Sequence, residues 1–383
     1  MKKIRNIYQN IVSKENLYCA AYRAAKGKRY GDRVADFNFH LEEEIDNLHK
    51  DLLRKTYRHG KYRLFTVYEP KERKIAAAPF RDRVVHHAVH DCIEPLIDKT
   101  FIHHSYACRI DKGTHKAVDK AQEFLRANRY CFHGDIKKYF PSIDRNILKG
   151  MLKMRIEDEE LLRLIDEIID SAKQLTPKAM EGARSLLTGS EEPSRSLLFN
   201  NQEKGLPIGN LTSQFFANLY LNELDYFVKF DLRERYYLRY MDDFLIFGND
   251  REGLFEIREK IRVFLKNRLE LILHESKSRV YKTGDGIKFL GFRIFKSYRR
   301  LASDNVRRFR ERLKRFTCLF ESGKMESREI CDSVRCWAAH SKYAGTKRLR
   351  YNIWRSLAEK QSALGTLLKD ILPDTPCSLI QGR

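Results

Sequence analysis

The sequence predicts an α+β protein, and three observations predict it. Apolar residues recur at helical spacing near the N-terminus, in Leu41, Ile45, Leu48 and Leu52. Strand-like runs come in pairs at residues 62–79, 237–247 and 286–293, each broken by a short turn. From about residue 297 the chain reads as helical again and is crowded with arginine. Paired strands enclosed by helical ends place the chain in that class.

At 383 residues the chain is long enough to bury a sizeable core, in two or three subdomains. Lys and Arg number 74 against 52 Asp and Glu, a net charge of +22 with a pI near 9.6. Such an excess on a folded protein points first to nucleic acid. Mean hydropathy is −0.57 and no apolar run approaches a membrane span, so no membrane partner is expected. Met1-Lys2-Lys3-Ile4-Arg5-Asn6 starts basic with no apolar core behind it, so no secretory signal is expected. The eight cysteines include no C-x-x-C pair, which fits reduced thiols in a cytoplasmic protein.

In chain order, residues 62–79 read as a hairpin whose turn, Glu69-Pro70-Lys71-Glu72-Arg73, is basic. Arg81-Asp82-Arg83 opens a helix, on which His86 and His90 stand four apart without a third zinc ligand. Arg109, Lys112 and Gly113 precede another amphipathic helix, a setting that suits phosphate. An apolar strand from Tyr130 ends at Asp135, Phe140 follows five residues later, and Asp144 is a helix N-cap. Residues 155–204 are helical and then polar, with Leu187 to Ser194 a loop or insertion. Gly205-Leu206-Pro207-Ile208-Gly209-Asn210 makes a tight turn, and Leu211-Thr212-Ser213-Gln214 opens a helix.

Tyr237-Leu238-Arg239-Tyr240 and Phe244-Leu245-Ile246-Phe247 read as buried strands, with Met241-Asp242-Asp243 the turn between them. Two adjacent acids there are either a water-facing turn or a site for a hard divalent cation, which prefers carboxylate oxygens. An amphipathic helix and a strand span 251–272, then His274-Glu275-Ser276-Lys277 brings a lysine back towards the acids. Gly286 to Arg293 is a strand pair. Arg299, Arg300, Arg307 and Arg308 begin a basic helical segment with Trp337, Tyr343 and Trp354 further on, a pattern that fits a nucleic-acid backbone.

Three carboxylates linked in this order by a glycine turn, a lysine and Phe289-Leu290-Gly291 resemble the reverse transcriptases, whose motif blocks cover about residues 61–296. The resemblance implies a right-hand polymerase: N-terminal helices and fingers over 1–130, a βαββαβ-type palm over 131–296, and a basic helical thumb over 297–383. Residues of about 155–204 return to the fingers or form an insertion. Within that superfamily the chain is most similar to enzymes of diversity-generating retroelements. Most other relatives carry Gln before the glycine of Ile208-Gly209-Asn210-Leu211-Thr212-Ser213-Gln214 and Pro after its serine; this chain has Ile208 and Gln214.

The resemblance implies RNA-directed DNA synthesis on two Mg²⁺ ions, with Mn²⁺ able to substitute. Asp135 and Asp242 would bridge the ions, the Ile136 carbonyl would complete the nucleotide-side ion, and Asp243 would be an outer or primer-side ligand. Phe140 would stack under the sugar and exclude a 2′-hydroxyl. Arg73, with Lys71, Lys61 or Lys74, would grip the triphosphate, and Arg109 would touch template or nucleotide. Ile208, Gly209 and Gln214 would line the nucleotide site, Lys277 would protonate pyrophosphate, and Arg299, Arg300, Arg307 and Arg308 would hold nucleic acid. Expected partners are an RNA template, a DNA or RNA primer, dNTPs and a small basic accessory variability protein, in a bacterial, archaeal or phage-encoded cytoplasmic system. No maturase-like extension, RNase H constellation or endonuclease module is read after the thumb. A retron or group II intron-like enzyme is the near alternative, and a catalytically idle RNA-binding or phage-defence protein the alternative of a different class.

Overall fold

The computed structural model describes residues 3–28, 31–68, 72–175, 203–359 and 362–373. Lys71 and the polar stretch Leu187 to Ser194 lie outside the described residues. The architecture is mixed helix and strand, as the periodicities predict.

Four helices, Tyr8–Val12, Lys14–Ala25, Asp32–Phe39 and Leu41–Leu53, fill the N-terminal region. Ile45, Leu48 and Leu52 are buried, so the apolar stripe packs as its spacing requires. Strands β1 (Arg63–Val67) and β2 (Arg73–Ala77) form an antiparallel hairpin with Val67 opposite Arg73. Helix Phe80–Asp98 follows.

Strands β3 (Tyr130–Asp135), β4 (Tyr237–Tyr240), β5 (Asp243–Gly248) and β6 (Arg279–Lys282) make a sheet in the order β4-β5-β3-β6. β4 and β5 are joined by Met241 and Asp242 alone, and Asp243 is the first residue of β5 rather than a turn residue. Met241 has φ 55°, a left-handed conformation that costs an L-residue roughly 1–2 kcal/mol. β3 and β5 are neighbours, and a Cβ on Gly134 would overlap the Phe244 ring, so glycine is required where these strands meet.

Helix Arg251–Leu269 forms as expected, but no regular strand follows it before 272. Instead Leu273 bridges Ile136, through His274 N–H to the Asp135 carbonyl (2.8 Å) and Lys137 N–H to the Ile272 carbonyl (2.9 Å). β7 (Ile287–Phe289), β8 (Phe292–Ile294) and β9 (Arg299–Leu301) form a separate antiparallel sheet. Arg299 and Arg300 therefore sit on a strand, not on the helix expected from residue 297. Alternation of exposure along 299–301, with Leu301 buried, outweighs the helical preference of arginine there. Helices Ser303–Glu321, Ser327–Lys342, Lys347–Ala358 and Ala363–Leu367 follow.

The chain divides into two compact units that are discontinuous in sequence: 1–113, 133–245 and 255–279, and 114–132, 246–254 and 280–383. These limits do not coincide with residues 130 and 296. The first unit is built on Phe216, Tyr220, Tyr237 and Phe244, all buried. In the second, Phe309 stacks on Trp337 with ring centroids 3.6 Å apart. Among the described residues no helix is long and apolar enough to cross a membrane.

Two glycines give opposite expectations. Gly134→Ala should destabilise the protein by roughly 1–3 kcal/mol through overpacking against Phe244. Gly150→Ala, in helix Arg145–Arg155 with nothing within 4 Å of the added Cβ, should stabilise it by about 0.5–1 kcal/mol. Denaturant melts of the two variants check this contrast.

Candidate active site

The turn that carries Asp242 is held from beneath by a buried arginine. Arg239 has no exposed surface, and an unpaired guanidinium there would be untenable. Its Nε and Nη2 donate to the two carboxylate oxygens of Asp225 at 2.7 and 2.6 Å, and Asp225 is equally buried. Nη1 donates to Asn218 Oδ1 at 3.0 Å and to the Met241 carbonyl at 3.1 Å, so the guanidinium grips the strained turn residue directly. Tyr237 OH donates to Asp225 Oδ1 at 2.6 Å. Asn218 and Asp225 lie seven apart on helix Leu211–Tyr226, hence on one face. Arg239 N–H and C=O pair with the His104 carbonyl and Tyr106 N–H, each at 2.9 Å. Burial pushes the arginine towards neutrality, but the Asp225 charge outweighs it and the guanidinium stays firmly protonated.

Asp135 ends β3, and the Ser278 hydroxyl, fully buried, accepts from its N–H at 3.1 Å. Its Oδ2 is ion-paired with Lys277 Nζ. His133, two residues earlier in β3, donates from Nε2 to Asp243 Oδ1 at 2.5 Å. Burial lowers the His133 pKa, and the Asp243 charge and hydrogen bond more than offset that, leaving it raised. Asp242 is pushed up to about 6, first by burial and then by the charges of Asp135 and Asp243; Lys277 opposes this. A raised carboxylate among like charges is a site short of positive charge.

Among the described residues no three His, Cys, Asp or Glu side chains stand together as a ready metal cage. Asp135 is turned to Lys277 and Asp243 to His133, so the three-acid cluster read from the sequence is not preassembled. The donor set still fits a hard cation of the Mg²⁺ type, which takes one or two protein carboxylates and leaves its other positions to water and substrate phosphates. Ile136 follows Asp135 directly and bridges Leu273. Residues 135 and 137 make both bonds to the 272–274 segment, which directs the Ile136 carbonyl to the opposite side.

Phe140 is half-buried in the short helical turn Tyr139–Ser142, and its carbonyl accepts from Leu206 N–H at 2.9 Å. That bond ties the Gly205-Leu206-Pro207 turn beside it. The Ile208 carbonyl accepts from Ala76 N–H at 3.0 Å, so the next residues of the turn dock on β2. Gly209 has φ 117°. Gln214 is exposed and accepts from the Cys108 thiol at 3.5 Å. Arg73 is exposed at the start of β2.

Two predicted contacts are occupied elsewhere. Arg109 forks onto Asp98 at 2.5 and 3.0 Å and donates to the Ile102 and Ser105 carbonyls, so it braces its own loop. In the second unit Arg299 donates to Gln122 Oε1 and Asp119 Oδ1 at 2.8 and 2.6 Å and lies over the Tyr343 ring. Its guanidinium is thus paired inside that unit. Arg300 and Arg307 are exposed, and Arg308 is 3.3 Å from Asp304. His86 and His90 form no zinc site: His86 is buried on Thr212 Oγ1, and His90 pairs with Asp91.

Sequence reasoning missed Arg239, Asp225, Asn218 and His133. A lone arginine inside the apolar run 237–240 was the available signal, since such a charge requires a buried acid.

The geometry now stands beside known proteins. The family model of the reverse transcriptases (RNA-dependent DNA polymerases) matches residues 66–294. The chain belongs to the reverse transcriptase family. Among curated relatives, this reverse transcriptase is 25% identical to Protein YkfC of Escherichia coli K12, over 63% of this chain and 68% of that one. It is 23% identical to the group II intron-encoded protein LtrA of Lactococcus lactis subsp. cremoris, over 84% of this chain. The chain spans 58% of LtrA's length. Among solved structures, a chain of a Cas6-RT-Cas1–Cas2 complex is 17% identical, with a TM-score of 0.37 over 69% of this chain and 43% of that one. By family the chain is an RNA-directed DNA polymerase.

Two outcomes follow from the site's electrostatics. Arg239→Met strands the Asp225 charge and should cost about 3–5 kcal/mol, part of which Asp225→Asn should recover in the double variant; chemical denaturation measures both. The folded-state pKa of Asp242 exceeds that of an unfolded-chain aspartate. Its stabilising contribution is therefore complete below about pH 4 and lost as pH rises through about 6. Asp242→Asn should raise the melting temperature at pH 8 without divalent cations, and the gain should vanish by about pH 4.

Proposed function

We propose that this reverse transcriptase extends a primer 3′-hydroxyl with deoxynucleotides on an RNA template, with low fidelity, as the polymerase of a diversity-generating retroelement. The observation that carries the reaction is the set of carboxylates formed by Asp135 and Asp243 at strand ends and Asp242 in the β4–β5 turn, with Asp242 raised by burial and by the other two. Ile208 and Gln214 support the branch. In this reading residues 1–130 supply fingers, 131–296 the palm and 297–383 the thumb.

Asp135, Asp242 and the Ile136 carbonyl would hold two Mg²⁺ ions, for which Mn²⁺ substitutes, with Asp243 on the primer side. Such ions act as Lewis acids on the α-phosphate and neutralise charge on the attacking and leaving oxygens. The protein's own part is to bind, orient and move protons. Arg73, at the start of β2, holds the triphosphate through its guanidinium fork. Phe140 packs beneath the sugar and leaves no room for a 2′-hydroxyl. Lys277, paired here with Asp135, would give a proton from Nζ to departing pyrophosphate. Arg300 and Arg307 offer exposed charge to the nucleic-acid backbone, and Arg308, paired with Asp304, stands beside them. A small basic accessory variability protein is the expected partner.

Ile208 supplies shape where most relatives supply a hydrogen-bonding glutamine. Losing one such buried polar check lowers discrimination by about 1–3 kcal/mol. A group II intron-like enzyme is the second reading, favoured by the similarity to LtrA over 84% of this chain. Extension on an adenine-rich RNA, with and without a small basic accessory protein, separates the two readings. Misincorporation concentrated opposite template adenine supports the first, and even fidelity on all four bases supports the second.

Asp242→Asn should abolish divalent-dependent primer extension while RNA affinity, measured by filter binding, stays close to wild type; retained extension would remove the mechanism. Ile208→Gln should reduce misincorporation opposite adenine by about 10-fold, the equivalent of one recovered hydrogen bond. Sequencing of the cDNA products reads this out.

A further inference from the structure

We infer that Asn210 is a positioning residue: its buried side-chain amide ties the second edge of β2 to the Ile208-Gly209 turn and so sets how Arg73 and Ile208 jointly meet the incoming nucleotide. The inference rests on the proposed nucleotide grip of β2.

β2 pairs with β1 along one edge, Ala76 standing opposite Leu64. On its other edge β2 offers the Ala76 N–H, the Ala76 carbonyl and the Ala78 N–H, and all three are taken by one short turn. Ala76 N–H donates to the Ile208 carbonyl at 3.0 Å. Asn210 Nδ2 donates to the Ala76 carbonyl at 3.3 Å, and Ala78 N–H donates to Asn210 Oδ1 at 3.3 Å. A side-chain amide carries the same donor and acceptor as a peptide group, so Asn210 pairs with β2 as one more strand residue would.

Asn210 is 2% exposed, and these backbone groups have no water to turn to if the amide is lost. Gly209 lies between the two attachments at φ 117°, and a Cβ there would come 2.7 Å from Ile75 Cγ2. The turn is thus pressed onto the strand as well as bonded to it. Two residues on, Thr212 Oγ1 meets His86 Nδ1 at 3.3 Å and anchors the helix that the turn begins.

The mechanical consequence follows from the hairpin's weakness. Two strands alone are marginally stable in water. One face of this pair is secured where Ala76 packs with Ala172 and Leu175 against Tyr62 and Leu64. The edge is secured by the turn. Arg73 lies three residues before Ala76 on the same strand, so a slip of β2 at Ala76 shifts the cation relative to Ile208. Grip on the triphosphate and the shape check on the base are coupled through one amide.

Steady-state dNTP kinetics of Asn210→Ala, Asn210→Asp, Arg73→Ala and the Arg73→Ala/Asn210→Ala double variant test this. Asn210→Ala should raise the dNTP KM by about 10-fold with kcat nearly unchanged, because the chemistry at Asp135 and Asp242 is untouched. Asn210→Asp keeps the acceptor for Ala78 N–H but sets a buried carboxylate oxygen against the Ala76 carbonyl, so its KM should rise at least as far. The double variant should be no worse than Arg73→Ala, since both act through the position of one strand. A wild-type KM in both Asn210 variants, a fall in kcat and melting temperature without a KM change, or additive effects in the double variant would each overturn the inference. Should Asn210→Ala not fold, Asn210→Asp is judged by the same criteria. If Arg73→Ala itself leaves KM unchanged, the grip of β2 fails and takes this inference with it; a raised KM there with unaffected Asn210 variants overturns the inference alone.

Discussion

The buried pair of Arg239 and Asp225 is the interaction on which the site depends. Neither side chain has any exposure, so each desolvation cost is met by the other and by Asn218, Tyr237, the Ser105 hydroxyl and the Met241 carbonyl. Such a pair contributes little net stability over apolar residues of the same size, but it admits a single arrangement. Strand β4, helix Leu211–Tyr226 and the segment 104–106 must all be in register before the guanidinium is satisfied. The turn carrying Asp242 inherits that register through the Met241 carbonyl.

The same pair explains the electrostatics above it. Arg239 lies directly beneath the acids, yet its charge is spent on Asp225, and the cation that acts on Asp242 is Lys277. Burial together with the Asp135 and Asp243 charges therefore prevails and holds Asp242 at about 6. His133 and Lys277 each take one oxygen of a neighbouring acid. A net positive charge of +22 spread over the chain does nothing for this local deficit, because screening confines exposed charges to about 10 Å at ordinary ionic strength. A site built this way suits a cation that arrives together with its anionic substrate.

Strain and close approach mark the same places. Met241 holds a left-handed backbone at the turn, Gly134 lets β3 meet Phe244, and Gly209 presses on Ile75. Each would be unfavourable in isolation, and each lies in or beside the strand ends and turns that carry the acids and Ile208. Rigid strands fix these points to within a fraction of a residue, which loop-borne groups do not achieve.

The sequence by itself determined the class of fold, the strand end at Asp135, the N-cap at Asp144 and the family, because period-two and helical apolar patterns and ordered motifs are local properties of a chain. It also marked the turn at Ile208 and Gly209, and Gln214 in the helix that follows, as distinctive. Only the tertiary structure decided how charges pair. Arg109 and Arg299 look in sequence like any other free cation, and they are claimed by Asp98 and Asp119. Arg239 looks like a flaw in an apolar strand and proves to be its anchor. Strand β9 replaces the expected start of a helix because burial of Leu301 against the neighbouring strand overrides local propensity. Pairing energies depend on which groups share a low-dielectric interior, and that proximity exists only once distant segments have packed.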